Sequence, residues 1–148
     1  MQKRVIPPLY FFILLLLVIQ LHSIFPIVQI FYFPYNLIGI LLIIFGGLIN
    51  LWAALLFFKK DTTILPDNQP SCFIASGPFC FTRNPIYLGM AAALLGAAIF
   101  LGSLITFISP LIFVLLIQTL VIPIEEKNLE AKFGKQYLDY KKRVRRWI

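Results

Sequence analysis

A guanidinium, a phenol and two carboxylates stand at two places in an otherwise apolar chain. Arg83 and Tyr87 lie in the stretch Gly77-Pro78-Phe79-Cys80-Phe81-Thr82-Arg83-Asn84-Pro85-Ile86-Tyr87-Leu88-Gly89, and the acids are the pair Glu125-Glu126. Asn84 suits a helix N-cap, where its side chain accepts from an orphan backbone N–H, and Pro85 suits the first helical position. Gly77-Pro78 breaks whatever precedes it, because proline fixes its own φ and pushes the residue before it out of the helical region. An arginine beside an exposed helix N-terminus is a site for an anionic group. Carboxylates nearby would accept from hydroxyls or an amine, so the set suits a ligand with an anionic end and a cationic or hydroxyl-rich end. Each residue also has a plainer reading. Arg83 would snorkel to headgroups, Asn84 would only cap, Glu125-Glu126 would decorate the first turn of a tail helix, and Tyr87 would join an interfacial aromatic belt. A site is favoured only if one hairpin brings all of them to one rim.

The elements that must do so belong to a membrane. Of the 148 residues 60% are hydrophobic and 13% charged, with a mean hydropathy of +0.90. Soluble domains are about half apolar and about a quarter charged. The net charge of +7 does not point to nucleic acid. All 13 lysines and arginines fall in Lys3-Arg4, in the segment from Lys59 to Arg83, and in the tail after Glu126. That clustering is what the positive-inside rule gives when all three face the cytoplasm, which places both termini there, as in a bacterial-type inner membrane. Cys72 and Cys80 then share a reducing compartment and read as plain thiols. Their spacing matches no metal motif, the chain has a single histidine, and no metal site is expected. There is no P-loop, no Gly-x-Gly-x-x-Gly and no visible Ser/His/Asp set.

The expected fold class is an all-α integral membrane protein of about four transmembrane helices plus a C-terminal amphipathic interfacial helix, forming one domain over residues 1–148. The spans are expected at 9–33, 37–58, 85–101 and 104–124, with a cytoplasmic loop at 59–84 and a tail helix at 125–148. His22 inside the first span reads as a neutral histidine bonded to a neighbouring helix. Gly39, Gly46 and Gly47 in the second span, and Gly89, Ala93, Gly96 and Ala97 in the third, are small residues that let helix backbones approach closely. In the tail, Leu129, Phe133, Tyr137, Tyr140, Val144 and Trp147 line one helical face, with Gly134 a place for a bend. Lys141-Lys142-Arg143 and Arg145-Arg146 are expected to meet anionic headgroups.

These motifs carry a family resemblance. Gly-Pro, then Arg-Asn-Pro-x-Tyr-x-Gly, then a hydrophobic hairpin and Glu125-Glu126, resembles the membrane methyltransferases of the isoprenylcysteine carboxyl methyltransferase family, and phospholipid N-methyltransferases share the pattern. The resemblance runs from Thr62 to Ile148 and includes the tail Phe133-Gly134-x-x-Tyr137-x-x-Tyr140-x-x-x-Val144. It implies transfer of a methyl group from S-adenosylmethionine to a lipid or lipid-like acceptor, an isoprenylcysteine-type carboxylate or a phospholipid amine. It further implies a cofactor pocket lined by Gly77, Pro78, Phe79, Arg83, Asn84, Pro85, Tyr87, Leu88, Glu125 and Glu126, with Arg83 and Glu126 as the catalytic pair. Two positions depart from the pattern. Many members have His where Asn84 stands, so a proton acceptor is missing there. Members often carry a basic residue just before the acidic pair, where this chain has Val121-Ile122-Pro123-Ile124, which weighs against a prenylcysteine-like carboxylate. A membrane reductase using NADPH, of steroid-reductase-like type, and a non-catalytic lipid- or partner-binding membrane protein are the alternatives.

Overall fold

Two hairpins of apolar helices build the protein, seen in a computed structural model that describes residues 6–25, 28–59 and 73–148. Lys3-Arg4, Pro26, Lys60 and most of the expected cytoplasmic loop, with Cys72, lie outside the described residues. Helix α1 (Pro7–Ile24) starts on two prolines, which fit a first turn that needs no donated N–H. Helix α2 (Ile38–Lys59) follows a short 3₁₀ turn, and α3 (Pro85–Leu101) begins at the expected proline. The last hairpin arm is α4 (Ile108–Leu116), continued by a π-helical turn over Ile117–Val121 into α5 (Ile122–Phe133). A short α6 (Lys135–Arg143) comes after Gly134.

Three helical stretches are long and apolar enough to cross a bilayer: Pro7–Ile24, Tyr35–Lys59 and Leu104–Phe133. The apolar α3, with 17 residues, lies at the short end of the spanning range of about 17–25. Large apolar side chains such as Leu41, Ile44, Phe45, Leu48 and Leu51 stand exposed along α2, as lipid-facing residues do.

Several expected boundaries move. The first helix ends at Ile24, well before residue 33, with Phe25 already out of helical geometry at φ −130°, ψ 69°. Pro26 disfavours a helical Phe25, and this accounts for the early stop. Beyond it, Gln29 forms an isolated antiparallel bridge with Ser103, and Ile30 N–H and Phe31 N–H donate to the Gly102 carbonyl. The fourth arm does not end at residue 124: α5 runs without a break through Glu125 and Glu126 to Phe133. The tail is not one helix over 125–148 either. Gly134 takes φ 50°, ψ −123°, which reverses the chain between α5 and α6, and after Arg143 the backbone is extended at Val144.

The tightest packing is between α2 and α3. A Cβ on Gly39 would strike the Gly96 carbonyl oxygen, and one on Gly46 would strike that of Gly89. The two contacts are seven residues apart on each helix, so the antiparallel backbones touch along two turns. Gly47, expected to help, faces away with nothing within 4 Å of its built Cβ. At the end opposite Lys59, His22 Nδ1 lies 2.7 Å from the buried Ser103 hydroxyl, and Gln29 Nε2 donates to the Leu101 carbonyl at 3.0 Å. His22 is thus bonded to the turn after α3, as expected of a histidine held by a neighbouring element. Within the apolar layer, Ser109 Oγ donates to the Leu14 carbonyl at 2.8 Å and ties α4 to α1.

The α2–α3 contact makes a sharp prediction. Gly46→Ala forces backbone apart and should destabilise the protein by about 1–3 kcal/mol, as overpacking does. Gly47→Ala meets open space and should be neutral or stabilising by up to about 1 kcal/mol through helix propensity. Thermal melts in detergent of the two single variants check the contrast.

Candidate functional site

At the Lys59 end of the bundle, three separate segments meet around one carboxylate. The first is the approach to α3. Gly77–Cys80 forms a 3₁₀ turn, Thr82 Oγ accepts from the Asn84 N–H at 3.2 Å, and Arg83 stands just before the helix. The second is α5, whose register is set by the π turn before it. Pro123 lacks an N–H, and Thr119 Oγ donates back to the Leu115 carbonyl at 2.7 Å, two features that disturb a regular helix. The wider turn re-aims the residues that follow, among them Glu125 and Glu126. The third is the extended C-terminal segment after α6.

Glu126 is the centre, with its side chain only 8% exposed. Arg83 Nη1, on a side chain 11% exposed, lies 3.0 Å from its Oε1. Arg146 spans both oxygens, Nε to Oε1 at 3.0 Å and Nη2 to Oε2 at 2.7 Å. Lys141 Nζ is 3.8 Å from Oε2 and also pairs with Glu130. Bidentate guanidinium–carboxylate contacts are charge-assisted and geometrically demanding. The carboxylate bond to Arg146 holds that guanidinium above its ordinary pKa. By contrast, the Nε and Nη1 atoms of Arg83 are buried and make no hydrogen bond among the described residues, the ion pair being close but poorly aligned. Next along α5, Glu125 Oε1 accepts from the Tyr87 hydroxyl at 2.6 Å.

The tail closes the site from the third side. The Arg83 N–H donates to the Arg145 carbonyl at 2.9 Å. Asn84 Nδ2 and Thr82 Oγ both donate to the Arg146 carbonyl, at 2.8 and 3.1 Å. Trp147 Nε1 donates to Gln118 Oε1 in the π turn at 2.6 Å. Tyr140, on α6, donates its hydroxyl to the Phe79 carbonyl at 2.7 Å. Burial raises both α6 phenols above their ordinary pKa, that of Tyr137 to about 12 with the Glu126 charge adding to the effect. Both therefore stay protonated, and Tyr140 remains a donor, at any physiological pH.

Most of the residues expected to line a site do converge. Arg83 and Glu126 meet directly, Asn84 joins them through Arg146, whose carbonyl it bonds and whose guanidinium holds Glu126, and Tyr87 binds Glu125 beside them. Pro85 is buried at the start of α3 and Leu88 half-buried in its first turn. Gly77, Pro78 and Phe79 form the 3₁₀ turn and join the group at one remove, through Tyr140. Three expectations change. Asn84 occupies the N-cap position but makes no capping bond; its amide donates to the tail instead. Arg146, expected to face headgroups, pairs with Glu126, while Arg145 is exposed. Tyr137 and Tyr140 turn inward against Phe73, with ring centroids 5.8 and 5.0 Å from it. Arg146, Lys141 and Tyr140 were not expected here. The helical spacing of the tail hid them, since it treated 125–148 as one face.

A family model described as phospholipid methyltransferase matches residues 35–136 of this chain. The match begins in the turn before α2 and ends just after the start of α6. An uncharacterized protein of Haemophilus influenzae is 40% identical over 63 residues, which is 43% of this chain and all of that relative.

Tyr87→Phe tests the second acid's setting. It removes a hydrogen bond from a buried carboxyl group, so the protein should lose about 1–3 kcal/mol of stability. Chemical denaturation in mild detergent, compared with an exposed substitution such as Lys142→Ala, measures the loss.

Proposed function

The chain belongs to the phospholipid methyltransferase family, and from that premise we propose that it is a membrane-embedded methyltransferase that moves a methyl group from S-adenosylmethionine to a lipid or lipid-like acceptor at the cytoplasmic face. In this reading all four apolar helices cross or enter the bilayer, both termini face the cytoplasm, and α6 lies along the inner surface. The observation that carries the reading is Arg83. It is a buried guanidinium with two nitrogens free of hydrogen bonds among the described residues, held beside a carboxylate whose two oxygens each accept a bond from Arg146. Such donors suit the carboxylate of the methyl donor.

The bound cofactor supplies an electrophilic methyl group, and its in-line transfer asks the protein for positioning and desolvation more than for acid–base work. Arg83 binds and orients the anionic end. Glu126 fixes the Arg83 guanidinium and keeps lone pairs for a ribose hydroxyl or an amine. Tyr87 and Glu125 form the wall next to it, with Asn84, Pro85 and Leu88 along the start of α3. Gly77, Pro78 and Phe79 form the rim toward the cytosol. Lipid-facing surfaces on α2 and α4 leave the acceptor a lateral route from the bilayer. A phospholipid amine fits better than a prenylcysteine-type carboxylate, because no basic residue stands just before Glu125 to hold an anionic acceptor.

Isothermal titration of the purified protein in detergent tests the reading. S-adenosylhomocysteine should bind with micromolar affinity and NADPH should not. Losing a charge-assisted bond costs about 1.5–3 kcal/mol, so Arg83→Ala should weaken binding roughly 10- to 100-fold. Incubating membranes with radiolabelled S-adenosylmethionine and separating lipids from proteins identifies the acceptor class. Binding of NADPH in place of the homocysteine derivative would make the protein a reductase and end the proposal.

A further inference from the structure

The C-terminal segment is bonded more heavily than an anchoring tail needs. Residues 144–148 lie outside any helix, with Val144 extended, and six of their hydrogen bonds reach residues of the site or their supports. The Arg145 and Arg146 carbonyls accept from Arg83 N–H, Asn84 Nδ2 and Thr82 Oγ, the Arg146 guanidinium takes both Glu126 oxygens, and Trp147 is tied to Gln118. The asymmetry between the two arginines at Glu126 is the informative feature. Arg146 uses Nε and Nη2 in aligned bonds, whereas Arg83 contributes a close charge with Nε and Nη1 left without hydrogen bonds among the described residues. A carboxylate turned to align with Arg83 would consume those donors, and the two bonds from Arg146 hold both of its oxygens from the other side.

We infer that Arg146 is a positioning residue. It locks the Glu126 carboxylate so that Arg83 keeps its donors for the anionic end of a ligand, and the last five residues are thereby a working wall of the site. This inference builds on the methyl-donor reading of the site, and it concerns how the chain prepares Arg83 and not which acceptor is used. A lysine at the same place would supply the charge but not the fork, since an ammonium cannot bridge both oxygens in one plane.

The test is a double-mutant cycle on ligand binding in the full-length protein. Affinity for S-adenosylhomocysteine is measured by titration for wild type, Arg146→Ala, Glu126→Gln and the double variant, with Arg146→Lys and Lys142→Ala alongside. Arg146→Ala should weaken binding at least tenfold, Arg146→Lys should fall between it and wild type, and Lys142→Ala should match wild type. The double variant should bind no worse than Glu126→Gln alone, because Arg146 acts through Glu126. A merely structural staple would give additive losses, and additive losses overturn the inference even if Arg146→Ala is less stable. Unchanged affinity in Arg146→Ala overturns it as well and leaves the methyl-donor reading standing. Failure of the wild type to bind overturns the methyl-donor reading and this inference with it.

Discussion

A carboxylate shut away at the edge of an apolar bundle costs several kcal/mol unless it is paired with good geometry. Glu126 meets that demand with cations drawn from three different parts of the chain: Arg83 before α3, Lys141 on α6 and Arg146 in the extended tail. Much of the architecture near it follows from that one requirement. The chain must reverse after α5 for any C-terminal cation to reach back, and Gly134 with its positive φ provides the reversal without a side chain to obstruct it. Then α6 must be short, so that Arg146 arrives beside Glu126 and not beyond it. The inward phenols of α6 pack on Phe73 and fasten the helix in place.

The other half of the contact depends on where α3 begins, and that is set by helix packing far from any charge. Gly39 against Gly96 and Gly46 against Gly89 let the α2 and α3 backbones touch, which leaves little freedom for sliding. With α3 fixed, its first turn presents Arg83 and Asn84 at a defined height. The π turn in the neighbouring arm does the complementary job, rotating the polar end of α5 toward α3 while the apolar residues Phe113, Ile117, Val121 and Ile122 stay in the core. Two unrelated devices, a close backbone contact and an irregular turn, thus deliver the two ends of one ion pair.

How much of this was legible in the sequence differs by the range of the interaction. The helix at 85–101, its small-residue face and the meeting of Arg83 with Glu126 could be read because they follow from local signals: a proline at a helix start, residues at helical spacing, and a hairpin that returns to its own end. The early end of α1 was marked by Pro26 but was outweighed by the apolar residues that continue past it. The tail was misread for a different reason. Tyr137, Tyr140, Val144 and Trp147 keep a helical rhythm, yet Gly134 divides it and the chain leaves the helix after Arg143. Nothing local to Arg146 distinguishes it from the exposed Arg145 beside it. Only the fold back to Glu126 does that. Asn84 stands at the expected N-cap position, but its side chain is oriented by a nonlocal group: Nδ2 donates to the Arg146 carbonyl and no capping bond forms.

The charge balance at the site has a direction. Glu126 has both oxygens in aligned bonds to Arg146, and Lys141 shares its charge with Glu130 as well. Arg83 is the group with donors left over among the described residues. Buried donors without acceptors cost about 1–3 kcal/mol or more for a charged group, a cost that a native structure sustains where a ligand offsets it. An anionic group arriving at Arg83 would recover that energy without disturbing the Glu126–Arg146 pair. A cationic group arriving at Glu126 would first have to displace a bidentate guanidinium. In the proposed function, Arg83 would take the negative end of the ligand first, and the positive or hydroxyl-bearing end would settle against acids that are already held in place.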